Sequence, residues 1–492
     1  ISFLVFFFTA SLLFVFFFFN KNDSRNRPPA PRKLPIVGHL HLLLTDLPHR
    51  ALLSLSRKFG DPMLLQLGSI PTLVISSPET AREIFKDHDA AFSGRPSLYA
   101  VNRLFGTSAN ITFSPYGDYW REIRKIAVMD LFTPKRVGSF AKIRAEEVAS
   151  LMGEIGGGGN SPAVDLSYLA FRLSNAVVSR VVLGTDSRDG YESRRKFQGI
   201  ISELQRLAAG FNVADYFPGM GWVNKINGVD RGIDGLMGIV DEFLNGFIAE
   251  HRDRKRKPDC EEDEDLIDTL LRIQNDPKQT LNLTDQHVKA VIFDIFVAGT
   301  DTSSSTIVWT TAELMRNSES RTKLQEELRR VGKKASIGEN DLSDLKYLKL
   351  VVKESLRVHP PAPLLVRRET TKPCTIAAGK YRIPAKTRVI VNAAALSMDE
   401  EYWEKPELFW PERFLDSDVD FRGQHFGFLP FGAGRRGCPG INFAVPLVEL
   451  AVANLFFRYD WEFPMGMTAE DLNMEEKIGL TMAKKVPLVL IP

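Results

Sequence analysis

A helical pattern in the middle of the sequence constrains the fold more than any other feature. It begins near Thr284 and Asp285, runs to about Arg316, and has apolar residues almost all round its circumference from Val291 to Val297. At ~1.5 Å per residue, such a helix is about 45 to 50 Å long, and apolar residues on every side indicate burial on every side. The sequence therefore predicts a mainly helical body that this helix crosses.

Small and polar residues interrupt this helix. The run A-G-T-D-T-S-S-S-T at residues 298–306 consists mostly of poor helix formers, yet the helical pattern resumes from Ile307 to Leu314. Residues that conflict with the surrounding local pattern tend to lie at functional sites. We therefore predict that residues 298–306 belong to the functional site.

Other elements follow from local signals. Met63–Leu67 and Thr72–Ser76 alternate with turn residues and predict a short hairpin. Ser77–Asp87 begins with a capping serine followed by proline, which predicts a helix start. Leu345–Val358 is also predicted to be helical.

Charge and cysteine content exclude several classes of protein. The 63 Lys and Arg nearly balance the 61 Asp and Glu of the 492 residues, so no basic field attracts nucleic acid and we expect no nucleic-acid partner. The three cysteines, Cys260, Cys374 and Cys438, are widely spaced and odd in number, which excludes a disulfide framework. A reducing compartment is therefore favoured.

The N-terminus predicts membrane attachment. Residues 1–19 form an uncharged apolar run, about 28 Å long as a helix, which matches the ~30 Å hydrocarbon core of a bilayer. A cleaved secretory signal is the alternative, but the run continues into Asn20 and Lys21 without a small-residue cleavage site. Because positive flanks stay in the cytosol, we predict a transmembrane anchor at 1–19, a basic and proline-rich linker at 20–40, and a cytosolic body at 41–492.

Three glycines near the last cysteine permit two interpretations. Gly432, Gly434 and Gly437 fit G-x-G-x-x-G, which cradles a dinucleotide pyrophosphate when it follows a parallel strand. The preceding residues include Gly427 and Pro430, which are both unfavourable in a central strand. The dinucleotide interpretation therefore lacks its structural context.

The second interpretation makes Cys438 a metal ligand. This cysteine lies just before a predicted helix, Ile441–Phe457, whose positive end and backbone N–H groups favour a thiolate. No other Cys or His stands at ligand spacing, which argues against a structural zinc site with four ligands. A single axial thiolate is what a thiolate-ligated haem requires.

The segment around Cys438 resembles the signature of the cytochrome P450 family, F-x-x-G-x-R-x-C-x-G. The matching residues are Phe431, Gly434, Arg436, Cys438 and Gly440. Four further motifs of that family occur in the family's order: W-x-x-x-R at Trp120–Arg124, A-G-T-D-T at Ala298–Thr302, E-x-x-R at Glu354–Arg357 and P-x-R-F at Pro411–Phe414. Together they cover nearly the whole chain, and they are most similar to the plant microsomal type.

The resemblance implies a mainly α fold with small β-sheets, a cytochrome P450 fold behind one N-terminal transmembrane helix, with a haem-thiolate catalytic domain at 41–492. The implied cofactor is haem b, with the Cys438 thiolate as its axial metal ligand. The implied activity inserts one atom of dioxygen into a hydrophobic plant specialised metabolite, a terpenoid, phenylpropanoid or alkaloid. The implied electron source is NADPH, through a separate NADPH-cytochrome P450 reductase, at the endoplasmic reticulum membrane.

Two alternatives stay open at this point. One is a haem-thiolate isomerase or dehydratase that does not consume oxygen, and the other is a non-catalytic membrane haem-binding protein. Asp301 and Thr302 argue against both, since they resemble the acid and alcohol that deliver protons during dioxygen activation. Relatives that only isomerise peroxides tend to lack the threonine.

The resemblance also assigns the remaining site residues. Glu354, Arg357 and Arg413 resemble a structural charge network. The implied haem-binding residues are Trp120, Arg124, Ala298, Gly299, Arg368, Phe431, Gly434, Arg436, Cys438 and Gly440. Among them, the side chains that resemble partners of the haem propionates are Trp120, Arg124, Arg368 and Arg436.

The substrate pocket and the docking face are implied in the same way. The expected pocket segments are mainly apolar; they are Ser97–Asn110, the region near Phe211, Ile295–Thr300, Ala362–Val366 and Gly479–Leu480. Arg121, Arg124 and Lys125 make one helix beside the haem locally basic, which suits an acidic partner.

Overall fold

The structure, a computed structural model, shows a mainly helical chain with small sheets, as predicted. It describes residues 26–44, 46–105, 110–157, 163–184, 199–200, 203–204, 207, 212–253, 264–279, 281–331, 336–477, 479 and 481–492. The anchor predicted at 1–19 lies outside the described residues. So do parts of the expected pocket, namely residues 106–109, Phe211 and Leu480.

Long helices form the bulk of the body. The longer α-helices are Pro48–Phe59, Ala141–Gly157, Leu166–Leu183, Val229–Asp253, Asp285–Arg316, Ser318–Val331, Lys346–Val358 and Ile441–Arg458. The shorter ones are Pro78–Arg82, Tyr99–Phe105, Asp118–Ile126, Pro134–Ser139, Val213–Tyr216, Val223–Ile226, Leu266–Gln274 and Ala393–Leu396. π-helical turns extend two of them, at Glu83–Asp87 and Ala127–Leu131.

Asp285–Arg316, the central helix, has the predicted bounds. The Thr284 side chain accepts a hydrogen bond from the His287 N–H, and His287 Nδ1 accepts one from the Thr284 N–H, which fixes where the helix starts. Apolar side chains on most of its faces are buried, and it packs against Leu166–Leu183 and Ile441–Arg458.

The polar stretch of the central helix remains helical. Thr302 Oγ1 donates to the Ala298 carbonyl at 2.7 Å, and Thr306 Oγ1 donates to the Thr302 carbonyl at 2.9 Å. Such bonds to the preceding turn satisfy hydroxyl groups inside a buried helix. At Gly299 the neighbouring helix approaches closely, because an added Cβ would lie 3.0 Å from Val178 Cγ2.

The strands are short and form small sheets. In chain order they are β1 Met63–Leu67, β2 Ile70–Ile75, β3 Val164–Asp165, β4 Arg368–Glu369, β5 Cys374–Ile376, β6 Tyr381–Ile383, β7 Arg388–Val391, β8 Glu476–Lys477, β9 Ala483–Lys484 and β10 Val489–Leu490. The four-stranded sheet has the order β1-β2-β7-β4, with only β2 and β7 parallel. The predicted hairpin is thus confirmed as β1 and β2, and the pairing of β4 with β7 fixes the backbone of Arg368.

The described part of the predicted linker lies against the body. The Pro29 carbonyl accepts from the Leu64 N–H at 3.0 Å, and the Val37 carbonyl accepts from the Gly68 N–H at 3.1 Å. The His39 N–H donates in the other direction, to the Gln66 carbonyl at 2.7 Å.

A buried charge network ties the E-x-x-R helix to the segment that follows it. Arg357 donates to both carboxylate oxygens of Glu354 at 2.8 Å, and Arg413 Nε donates to the same carboxylate at 3.0 Å. Arg357 also donates to the carbonyls of Ser397 and Pro406 at 2.8 Å each. The predicted structural role of Glu354, Arg357 and Arg413 is therefore confirmed.

Among the described residues, three helices have the length and hydropathy to cross a membrane: Leu166–Leu183, Asp285–Arg316 and Ile441–Arg458. Between 61% and 67% of each apolar window is buried inside the body, so their apolar surfaces serve the core.

Candidate active site

A cavity of about 280 Å³ lies between the central helix and the loop that precedes Ile441–Arg458. The central helix contributes Asp294, Ile295, Ala298, Gly299 and Thr302, and the loop contributes Phe431, Gly432, Arg436, Gly437, Cys438, Pro439 and Gly440. The remaining walls include Arg95, Ile111, Thr112, Trp120, Arg124, Pro361, Ala362, Leu365, Val366 and Arg368. The structure therefore brings together every predicted site residue except Asp301 and Gly434, which do not line the cavity.

Residues 431–440, the cysteine loop, are held in shape by hydrogen bonds within their own backbone. The Cys438 N–H donates to the Phe431 carbonyl at 2.9 Å, and the Gly437 N–H donates to the Gly434 carbonyl at 3.0 Å. Gly434 has a φ of +66°, and a Cβ there would collide with the Asp89 carboxylate. Gly434 thus shapes the loop from outside the cavity.

This geometry excludes the dinucleotide interpretation. The residues before Gly432 form turns, and no parallel strand among the described residues leads into the loop. A pyrophosphate cradle of the G-x-G-x-x-G kind needs that strand.

The Cys438 side chain lines the cavity and is accessible from inside it. Burial by the surrounding protein raises the pKa of the Cys438 thiol, and the Gly440 N–H, 3.3 Å from Sγ, and Arg124 oppose that shift. The Gly440 N–H and the Arg124 side chain therefore lower the pKa of the thiol, but burial outweighs them. A metal ion that binds the sulfur deprotonates it outright.

The cavity walls carry an excess of positive charge. Four arginines line it, Arg95, Arg124, Arg368 and Arg436, against the single carboxylate of Asp294. Burial, together with the neighbouring Arg368 and Arg124, lowers the pKa of Arg436 to about 9. Burial lowers the pKa of Arg368 to about 10, although Asp89 opposes the shift. Crowded guanidinium groups of this kind call for anionic partners.

The predicted propionate partners already make protein contacts. Arg124 Nη2 donates to the Gly437 carbonyl at 2.6 Å, and Arg368 Nη2 donates to the Ala433 carbonyl at 3.0 Å. The guanidinium of Arg436 lies 3.9 Å from the ring centroid of Trp120. The indole N–H of Trp120 donates to the Ile111 carbonyl at 2.9 Å.

A haem fits this set of residues. Its two propionates would supply anions for the crowded Arg124, Arg368 and Arg436, and Cys438 would supply one thiolate from the loop. Thr302 places a hydroxyl on the helix side of the cavity.

Sequence reasoning missed several residues of the cavity wall, among them the two charged residues Arg95 and Asp294. Asp294 carries the one charge in the apolar run from Val291 to Val297, and a charge inside a helix predicted to be buried was an available signal. Arg95 gave no such signal in the sequence, because the residues it bonds, Thr112, Val366 and Arg367, are distant in the chain.

The fold and this site together define a haem-thiolate enzyme. The cytochrome P450 family model matches residues 28–490, and the chain belongs to that family. It is 51% identical to strychnine-11-hydroxylase from Strychnos nux-vomica over 95% of this chain and 92% of that one. It is 52% identical to cytochrome P450 71A9 from Glycine max over 94% of this chain and 92% of that one. A zebrafish cytochrome P450 structure with progesterone aligns with a TM-score of 0.79 and 25% identity, covering 91% of this chain and 100% of that one.

The predicted class is thereby confirmed. The chain is a haem-thiolate monooxygenase whose cofactor is haem, with the Cys438 thiolate as the axial ligand of iron. Its reaction uses dioxygen, a hydrophobic substrate and a redox partner. An isomerase or a non-catalytic haem protein is not favoured.

Proposed function

We propose that this enzyme oxidises an apolar plant specialised metabolite, a terpenoid, phenylpropanoid or alkaloid, with electrons from NADPH through NADPH-cytochrome P450 reductase. The observation that carries the proposal is that Cys438, from the loop, and Thr302, from the central helix, both line one cavity. Because strychnine-11-hydroxylase is named for an alkaloid and is 51% identical, the alkaloid class ranks first.

The cavity suits a hydrophobic skeleton. The central helix contributes apolar Ile295 and Ala298 to its walls, and the segment before β4 contributes apolar Ala362, Leu365 and Val366. Such a surface selects substrates by shape, and a single methylene changes discrimination by only about 1–3 kcal/mol. Related skeletons therefore compete for this pocket.

Thr302 and Asp301 form the proposed proton path. Haem, when bound, supplies the redox chemistry that activates dioxygen. The Thr302 hydroxyl lies on the cavity wall, donates to the Ala298 carbonyl, and can accept another hydrogen bond as it donates. Asp301 is partly exposed and does not line the cavity, and in this proposal it relays protons from the solvent side toward Thr302.

The arginines hold the propionates in this proposal. Arg124, Arg368 and Arg436 are the direct partners, and their charges remain although each also contacts a backbone carbonyl. Trp120 supports Arg436 through its ring, since its N–H is already given to Ile111.

The reductase face that we propose is the outer surface of Asp118–Ile126. Arg121 and Lys125 are exposed there, but each has an acidic neighbour three residues earlier, Asp118 or Glu122. Arg124 turns inward to the cysteine loop. The basic field is therefore weaker than the sequence predicts, and Met129, which is 64% exposed, adds an apolar contact.

Membrane attachment through residues 1–19, in the endoplasmic reticulum with the catalytic domain in the cytosol, completes the proposal. Exposed apolar side chains support a membrane-facing surface: Ile36 is 78% exposed, Leu44 76% and Ile226 76%. The β1–β2 turn contacts the chain next to Ile36 and the helix Val213–Tyr216, since the Gly68 N–H donates to the Val37 carbonyl and the Ser69 N–H donates to the Tyr216 carbonyl.

Reductase-supported turnover tests the proposal. We expect NADPH-dependent products from a library of plant alkaloids, terpenoids and phenylpropanoids, with one oxygen atom taken from ¹⁸O₂. Products formed without NADPH, or without the isotope, would indicate the isomerase alternative.

Thr302→Ala tests the proton path, with Thr311→Ala as the matched control. Thr311 lies on the same helix and makes the same kind of bond, to Ile307 at 2.9 Å, but it does not line the cavity. We expect Thr302→Ala to raise peroxide per NADPH several-fold, whereas Thr311→Ala leaves coupling unchanged. Equal coupling in both variants contradicts the role of Thr302.

A further inference from the structure

Residues 110–114 form part of the cavity wall without belonging to a helix or strand. Ile111 and Thr112 line the cavity directly. Buried backbone groups outside regular structure need partners from elsewhere in the chain. Here side chains from several distant elements supply them.

Asp294 holds the N–H groups of this segment. Its Oδ2 accepts from the Ile111 N–H at 3.1 Å and from the Thr112 N–H at 2.9 Å. The side chain is 6% exposed and projects from the central helix toward the cavity. The central helix and the 110–114 segment are thereby joined.

Arg95 holds the opposite side of the same segment. Its Nε donates to the Thr112 carbonyl at 2.8 Å, and its Nη1 donates to the carbonyls of Val366 and Arg367 at 2.6 and 2.9 Å. A single buried guanidinium therefore fastens two cavity walls to each other. Burial lowers the pKa of Arg95, and the nearby Asp294 carboxylate partly offsets that shift.

The segment also leads to the propionate side. The Ile111 carbonyl accepts from Trp120 Nε1 at 2.9 Å and from Arg436 Nη1 at 3.4 Å. Residue 111 thus connects the central helix, through Asp294, with two residues of the proposed haem site.

We propose that Asp294 and Arg95 are positioning residues that set the spacing of the central helix, residues 111–112 and residues 366–367, and so determine which bulky ligands the cavity accepts. The inference rests on the proposed function only in that this cavity is where substrate binds. Asp294 supplies a negative charge at the N–H side of the segment, and Arg95 supplies a positive charge at its carbonyl side.

Two azoles of different size test this role in the full-length, haem-loaded protein. Imidazole and clotrimazole both ligate haem iron through nitrogen, but only clotrimazole fills the cavity beyond it. For Asp294→Leu, which leaves two buried N–H groups unpaired, we expect the clotrimazole Kd to rise about tenfold while the imidazole Kd stays within about twofold. Asp294→Asn should restore clotrimazole binding, because its amide oxygen can accept both bonds.

Arg95→Lys is the second test and does not depend on the folding of the leucine variant. Lysine keeps the charge but cannot span two walls with a planar fork, so the ratio of clotrimazole to imidazole Kd should again rise. Glu313→Gln is the control: Glu313 is buried on the same helix and bonds His359 at 2.7 Å, yet it does not line the cavity. It should lower thermal stability and leave the ratio unchanged.

The ratio of the two Kd values decides the inference. An unchanged ratio in Arg95→Lys, or in a haem-loaded Asp294→Leu, overturns it, whether both azoles bind as before or both bind more weakly. Neither result depends on the natural substrate or on reductase, so these measurements test the inference independently of the proposed function.

Discussion

Gly299→Ala tests why a glycine stands in the central helix beside the cavity. Its added Cβ would lie 3.0 Å from Val178 Cγ2, and Val178 is fully buried. A valine in a helix has essentially one χ1 rotamer, so it cannot withdraw. Alanine gains about 1 kcal/mol in helix propensity, and overpacking costs about 1–3 kcal/mol. The expected net loss is therefore about 0–2 kcal/mol.

The double variant Val178→Ala/Gly299→Ala separates the two effects. Truncating Val178 removes the collision, so Gly299→Ala should become stabilising in that background, with a coupling of about 1–3 kcal/mol. Thermal unfolding of the haem-loaded protein, followed by Soret absorbance at one scan rate, measures the coupling; about 1–2 °C per kcal/mol is expected at this chain length. Effects that add within about 0.5 kcal/mol would refute the packing explanation.

Three further changes have defined outcomes. Cys438→Ser should abolish the thiolate-type reduced carbon-monoxide spectrum, and an unchanged spectrum would contradict axial ligation. Arg357→Leu leaves the fully buried Glu354 carboxylate without its main partner, so we expect a loss of about 3–5 kcal/mol and little soluble haem protein; normal yield would contradict this. Burial raises the pKa of Glu449 to about 7. The folded chain therefore binds this proton more tightly than the unfolded chain does, and stability falls as pH rises from about 4.5 to 7. Glu449→Gln should be more stable than the parent at pH 8, with an advantage that disappears toward pH 4.5 in thermal unfolding.

The central helix could be predicted because its signals are local. Thr284 caps it, apolar residues surround it, and hydroxyl groups such as that of Thr302 bond within the preceding turn. The cysteine loop was likewise recognisable, because its function depends on residue types within ten positions.

The contacts that hold residues 111–114 in the cavity wall could not be predicted, because their partners are distant in sequence. Ile111 is 183 residues from Asp294 and 325 residues from Arg436, and nothing in the local pattern indicates either contact. Gly299 was predicted as a site residue, but its close packing against Val178 was not, since Val178 belongs to another helix. Backbone groups that bond to remote side chains leave no periodic pattern.

Fastening the walls by their main chain has an evolutionary consequence. The atoms of Ile111 and Val366 that Asp294 and Arg95 hold are peptide atoms, common to all twenty amino acids apart from the missing N–H of proline. The side chains at these positions can therefore be exchanged without loosening the scaffold. Enzymes that share half their residues can in this way keep one architecture while their chemical repertoires diverge.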